Sequence, residues 1–102
     1  MYTYSMNTIP SGWSKDGEYL VLVMKCPDFM RGLALLNSVA DIAESLGHHP
    51  DLSLRNYNEL IVSTTTHDAG KLTDKDYELA QEITDLIEYQ EEKDHIQLNG
   101  RN

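Results

Sequence analysis

The stretch between Asp28 and Gly47 constrains the fold of this chain more than any other, because it has the pattern of one long helix with clear ends. The Asp28 carboxylate can accept hydrogen bonds from the unpaired N–H groups of a first helical turn. Glycine readily takes the left-handed conformation in which many helices end. These signals predict a helix from Phe29 to Leu46.

The apolar residues of this predicted helix are too numerous for a single face. They form two neighbouring stripes, the first with Met30, Leu33, Leu36, Ala40 and Ala43 and the second with Leu35, Val39, Ile42 and Leu46. A helix that covers a sheet buries one stripe, so we expect the second stripe to contact another subunit. Burial of three or four such side chains contributes roughly 5–10 kcal/mol before entropy costs, which favours an oligomer.

The rest of the chain predicts strands and a second helix. Alternating apolar residues and clusters of β-branched residues predict strands over 1–7, 19–26, 51–56 and 60–66, with an Asp-Gly hairpin turn at 15–18. Thr73 and Asp76 have the spacing of a capping box, which predicts a helix that runs to about Tyr89. This order predicts an α+β fold, a four-stranded antiparallel sheet with two helices packed on one face.

Length and charge limit what such a chain can do. A chain of 102 residues forms one domain, which we expect over 1–90, followed by a polar tail at 91–102 that frays. The net charge of −9 argues against nucleic acid as a direct partner. A single cysteine, Cys26, suits a reducing compartment, and no apolar run approaches the roughly 20 residues that cross a bilayer. We therefore expect a cytoplasmic protein without a membrane segment or a signal peptide.

Histidines carry the strongest chemical signal in the sequence. His48 and His49 follow the predicted helix, and His67 ends the last predicted strand. Imidazole titrates nearer to neutral pH than other side chains, so this trio suggests acid–base chemistry. Pro50 favours an extended backbone at His49, which predicts that the two adjacent rings point to opposite sides. Glu44, four residues before His48, could hold an imidazole or raise its basicity.

Spacing alone leaves other interpretations open. The three histidines could be solvent-exposed and inert, or they could form a zinc site, although adjacent histidines rarely bind one ion. Glu44 could be only a solvated helix residue, and the capping box explains Asp76 without catalysis. Trp13 and Tyr57 could be core or rim residues instead of platforms on which a ring stacks.

The ordered set of motifs resembles the pterin-4a-carbinolamine dehydratase family over about residues 12–87. The matching elements are Gly12-Trp13, Phe29, Ala43-Glu44, His48-His49-Pro50-Asp51, Tyr57-Asn58, Thr66-His67, Gly70, Leu72-Thr73, Asp76 and Leu79-Ala80. The chain departs from the family at Lys71, where a second glycine is frequent, and in its short segment before Gly12. These departures affect the loop and the N-terminal contacts, and they remove no histidine.

The resemblance implies a dehydratase that removes water from a 4a-hydroxy-tetrahydropterin and gives a quinonoid dihydropterin, in the recycling of tetrahydrobiopterin. It implies catalytic roles for His48, His49, His67 and Glu44, and substrate contacts for Asp76, Pro50, Tyr57, Thr66 and Trp13. It implies neither a metal nor another cofactor. Homodimers through sheet edges and homotetramers through helices are the expected assemblies. The alternatives are a cofactor that binds the dimerisation segment of a transcription factor and a protein that acts on a different pterin.

Overall fold

The structure is a computed structural model, and it describes residues 8–94. In chain order the elements are β1 (Trp13–Asp16), β2 (Tyr19–Lys25), α1 (Phe29–Leu46), β3 (Asp51–Arg55), β4 (Glu59–Thr64), a 3-10 turn (His67–Ala69) and α2 (Asp74–Asp94). The strands form one antiparallel sheet in the order β1-β2-β4-β3. This architecture confirms the predicted α+β fold.

Alternating residues of the two central strands place the core on one face of the sheet. Leu20, Leu22 and Met24 of β2 and Leu60 and Val62 of β4 are almost fully buried. Both helices cover this face, and their contributions to the core include Leu35, Val39, Leu79 and Ile83. The site described below lies at one end of this layer, where α1 ends and α2 begins.

Both predicted ends of α1 are confirmed. The Asp28 carboxylate accepts a hydrogen bond from the Arg31 N–H at 2.8 Å. Gly47 has a φ of 67°, and its N–H donates hydrogen bonds to the carbonyls of Ala43 and Glu44. The left-handed residue stops the helix and turns the chain directly into the His48–His49 corner.

The assignment of the two apolar stripes of α1 is wrong. Leu35 and Val39, from the stripe expected to face another subunit, are in the core, with Ile42 and Leu46 packed against it. The apolar side chains left in solvent are at the start of the helix, at Phe29, Met30 and Leu33. The periodicity identified both stripes, but it could not decide which one faces the sheet.

The first strand of the sheet also differs from the expectation. β1 consists of Trp-Ser-Lys-Asp, and only the tryptophan is buried, so it has no apolar alternation. It forms because the hairpin turn at Gly17, where φ is 61°, pairs it with β2. The predicted strand at 1–7 lies outside the described residues, as does the tail beyond Asp94. α2 continues past the expected end at Tyr89 as far as Asp94, and in the described chain no helix is long and apolar enough to cross a membrane.

Candidate active site

Asp76 is the centre of a hydrogen-bond network at the end of the sheet. The residue is fully buried in the first turn of α2. Its Oδ1 is 2.7 Å from His48 Nε2 and accepts from the Thr64 hydroxyl at 2.7 Å. Its Oδ2 accepts from the Thr66 hydroxyl at 2.6 Å and from the Thr73 N–H at 3.0 Å. One carboxylate therefore joins the corner after α1, the end of β4 and the start of α2.

The network keeps this buried carboxylate charged. Burial alone would raise the pKa of Asp76, but hydrogen bonds from Thr66, His48, Thr64 and the Thr73 N–H outweigh burial and lower it from the ordinary value of 3.8. Two partners on each oxygen use the usual acceptor capacity of a carboxylate. A substrate contact of Asp76 stays a prediction; in the structure the residue is buried and its oxygens are occupied within the protein.

The charge on Asp76 determines where His48 carries its hydrogen. An ionised carboxylate only accepts, so the hydrogen in the 2.7 Å contact is on His48 Nε2. Nδ1 is then the nitrogen that accepts a proton in the neutral ring and donates one in the charged ring. The His48 side chain is 12% exposed, so the ring is held in the protein but is still open to solvent.

His49 points away from this network. Its Nε2 lies 2.6 Å from Glu44 Oε2, and both side chains are largely exposed, at 63% and 77%. The two neighbouring histidines thus have different partners, as the extended backbone before Pro50 predicts. Glu44 lies in the last turn of α1, so the pair connects the end of this helix to the chain that leaves it.

Thr66 brings the segment that carries His67 to the same carboxylate. Its hydroxyl has one hydrogen, which it donates to Asp76, so the 2.7 Å contact with Thr73 requires the Thr73 hydroxyl to donate to Thr66. The Thr66 N–H also donates to the Lys71 carbonyl across the loop. His67 follows directly, exposed, at the start of the 3-10 turn. The end of β4 and the corner after α1 therefore meet at Asp76.

Neither Trp13 nor Pro50, both expected to contact substrate, is an exposed residue. Trp13 is buried, and its indole N–H donates to the Thr84 hydroxyl at 3.0 Å, which ties β1 to α2. Pro50 is half-buried, directly after His49. A substrate contact of either residue stays a prediction, and for Trp13 the core contact already explains the side chain.

Tyr57 lies at the far end of the β3–β4 hairpin. Asp51 at the start of β3 pairs with Ser63 near the end of β4, whereas Tyr57 follows the other end of β3, about 13 Å along the strand. Asn58 donates from its side chain to the Cys26 carbonyl at 3.0 Å and fixes the chain before α1. Within one chain, therefore, the Tyr57-Asn58 motif supports the fold and Tyr57 does not join the histidines.

Thr64 is not among the site residues that the sequence predicts. Its signal is the inward alternation of β4, in which a threonine occupies the core position after Leu60 and Val62. A hydroxyl at a buried position needs a partner, so this pattern could have indicated a polar contact. Between residues 8 and 94, no three His, Cys, Asp or Glu side chains are grouped to hold a metal ion.

Comparison with known protein families matches residues 3–86 to the family described as Pterin 4 alpha carbinolamine dehydratase. Relatives named provisionally as pterin-4-alpha-carbinolamine dehydratases are similar in sequence. The chain is 43% identical to one from Trichormus variabilis and 45% identical to one from Sulfurisphaera tokodaii. Each alignment spans 76 residues, which is 74% of this chain and 81% of the relative.

Solved structures resemble the fold as well. A transcriptional coactivator/pterin dehydratase from Brucella melitensis superimposes with a TM-score of 0.69 at 28% identity, over 76% of this chain and 83% of the other. A pterin dehydratase-like protein described as a RuBisCO assembly factor of the alpha-carboxysome gives a TM-score of 0.58 at 13% identity, over 82% and 95%. The second likeness concerns the fold alone.

Proposed function

The chain belongs to the pterin 4 alpha carbinolamine dehydratase family, and from this premise we propose that it removes water from a 4a-hydroxy-tetrahydropterin. The product is a quinonoid dihydropterin, which a reductase could return to the tetrahydro form. The substrate we propose is the biopterin form, in tetrahydrobiopterin recycling.

The reaction needs two proton transfers. The C4a–O bond breaks as a general acid protonates the leaving hydroxyl, which departs as water. A general base removes the proton on N5, and the electron pair of the broken N5–H bond forms the C4a–N5 double bond. Positioned acid and base groups each contribute about 10²–10⁴-fold to such a reaction.

We assign these transfers to His48 and His67, with His49 orienting the pterin and Glu44 holding the His49 ring. The observation that carries the assignment is the contact between His48 Nε2 and the buried Asp76 carboxylate, which leaves Nδ1 as the exchanging nitrogen. Thr66 binds the same carboxylate and is joined directly to His67, so both histidine-bearing segments are fixed to one group. The acid and the base are not assigned within the pair, because the contacts of His48 and Thr66 with Asp76 do not distinguish the two roles.

The test is the breakdown of freshly generated 4a-hydroxy-tetrahydrobiopterin, followed by absorbance with the protein and in buffer alone. The uncatalysed reaction also proceeds, so the difference from buffer is the quantity that counts. We expect a rate that rises in proportion to protein concentration. A rate equal to the buffer rate at all protein concentrations would disprove the proposal, and a preference for another pterin would change only the substrate.

We also propose that the chain associates with itself through the exposed start of α1. Phe29, Met30 and Leu33 are 48%, 68% and 36% exposed on this one segment, which favours burial against another molecule. The name of the Brucella melitensis protein also includes a coactivator role. A transcription-factor dimerisation segment is therefore the alternative occupant of the same surface.

A further inference from the structure

Thr64 shares the Asp76 Oδ1 atom with His48, and none of the expected roles includes it. Its hydroxyl donates to Oδ1 at 2.7 Å, the same distance that separates Oδ1 from His48 Nε2. Thr64 is 1% exposed, so water cannot replace its hydrogen bond. The Thr64 hydroxyl has one hydrogen, which it donates to Asp76. Asp76 in turn contacts His48, whose ring is proposed to be catalytic.

We propose that Thr64 is a positioning residue of the dehydratase site, which keeps Asp76 ionised and its Oδ1 directed at His48. The proposal rests on the proposed function, because His48 is the ring whose reactivity is at stake. Thr64 touches no substrate; it acts through Asp76. The inward alternation of β4 fixes the direction of the hydroxyl, since Leu60, Val62 and Thr64 occupy successive inward positions.

The reason for such a residue is the cost of a buried charge. A carboxylate without solvent remains ionised only when hydrogen bonds replace the lost hydration. Loss of the Thr64 donor would raise the pKa of Asp76, so that the carboxyl takes up a proton at higher pH. A protonated Asp76 no longer requires the hydrogen of the shared contact to lie on His48 Nε2. Without the Thr64 donor, Oδ1 is also held less firmly toward His48, so activity would fall.

His48 is the ionisable side chain within hydrogen-bond distance of Asp76 in the part of the chain described. The buried Tyr77 and the half-buried Glu78 follow Asp76 in α2, and neither is among its hydrogen-bond partners. The remaining charged or titratable groups on the adjoining segments are exposed, and they are Glu18, Glu44, His49, Asp51, His67, Asp68, Lys71, Asp74 and Lys75. Solvent screens such groups, so they cannot replace a direct donor to Oδ1.

The experiment compares Thr64→Val, which keeps the shape but removes the donor, with Thr64→Ser, which keeps the donor. Thr65→Val is the matched control, because Thr65 is also buried but has no part in the Asp76 network. For each variant, the titration of the Asp76 carboxyl carbon is followed by NMR and the dehydration rate is measured against pH. Thermal unfolding by circular dichroism checks that each variant is folded.

We expect Thr64→Val to move the Asp76 titration to higher pH by about one pH unit. It should also lower the dehydration rate near neutral pH several-fold, because Oδ1 is then held less firmly toward His48. Thr64→Ser and Thr65→Val should retain the wild-type titration and rate. An unchanged Asp76 titration in folded Thr64→Val would overturn the proposal. So would a moved titration with an unchanged rate. If Thr64→Val does not fold, Thr64→Cys, a weak donor of similar size, takes its place. A wild-type protein without dehydratase activity would refute the proposed function, yet the carboxyl titration would still decide whether Thr64 holds Asp76 ionised.

Discussion

His48 Nε2 lies 2.7 Å from Asp76 Oδ1, which joins the corner after α1 to the first turn of α2 across 28 residues of chain. The carboxylate is fully buried, whereas the ring is 12% exposed, so the contact connects the core to a group that solvent can reach.

Replacement of His48 and His67 together by alanine should reduce the dehydration rate nearly to the buffer rate. Each proton-transferring group contributes about 10²–10⁴-fold, so even one loss would be large. The measurement is the breakdown of 4a-hydroxy-tetrahydrobiopterin, with circular dichroism to verify the fold. His95→Ala is the control, because His95 matches no motif and is expected to be inert. Catalysis retained by a folded double variant would rule out the histidine assignment.

Asp76→Asn should make the free energy of unfolding less dependent on pH in the acid range. The lowered pKa of Asp76 means that its ionised form stabilises the folded chain above the ordinary pKa of 3.8, which the unfolded chain keeps. This contribution is lost as the pH falls from that value through the folded-state pKa. We expect Asp76→Asn to cost about 1–3 kcal/mol near neutral pH and progressively less below pH 4.

The measurement for Asp76 is urea unfolding of the wild type and the variant between pH 2.5 and 7. Asp74→Asn is the matched control, since Asp74 lies in the same helical turn but is exposed. A difference in unfolding free energy that stays constant over this pH range would contradict the explanation.

Glu44→Gln should hardly change stability, despite the 2.6 Å contact with His49. Both side chains are mostly solvated, and exposed pairs of this kind contribute about 0.2–1 kcal/mol, with screening by salt. The expected functional effect is a several-fold rise in KM, because His49 loses its orienting partner. Urea unfolding at low and high salt, with steady-state kinetics, tests both parts. A stability loss as large as that of Asp76→Asn would show that the exposed pair contributes far more than solvation allows.

Leu33→Asp and Leu35→Asp should have different effects, because the two residues lie about half a turn apart and so on opposite faces of α1. Leu33 is 36% exposed, and a charge there should prevent self-association while the chain stays folded. Leu35 is 6% exposed in the core, so an unpaired carboxylate there should unfold the domain. Molar mass from light scattering and thermal unfolding distinguish the outcomes. A wild-type chain that is monomeric at high concentration would refute association through this surface.

The sequence predicts local features of this fold better than tertiary ones. The sequence predicts both ends of α1 to the residue, because the N-cap Asp28 and the left-handed Gly47 set them by short-range chemistry. The capping box at Thr73 and Asp76 is also local, and the Thr73 N–H donates to the Asp76 carboxylate as that motif requires. The sequence does not predict β1, because its residues lack an apolar alternation and pairing with β2 makes it a strand.

The deep burial of Asp76 could not be predicted for a related reason. A capping-box carboxylate is normally half-solvated, and nothing near Asp76 in the sequence indicates that Thr64, Thr66 and His48 converge on it. Which stripe of α1 faces the sheet is likewise set by the rotation of the helix against β3 and β4. These are properties of packing between distant segments.

The contact between Trp13 and Thr84 gives the protein an intrinsic optical reporter. Trp13 is the only tryptophan of the chain, and its indole is buried between β1 and α2 with its N–H bonded to the Thr84 hydroxyl. Separation of α2 from the sheet would expose this ring to water and shift its fluorescence to longer wavelengths. Asp76 lies in the same helix, so the wavelength of tryptophan emission would report, without an added label, when α2 leaves the sheet and the Asp76 network is lost.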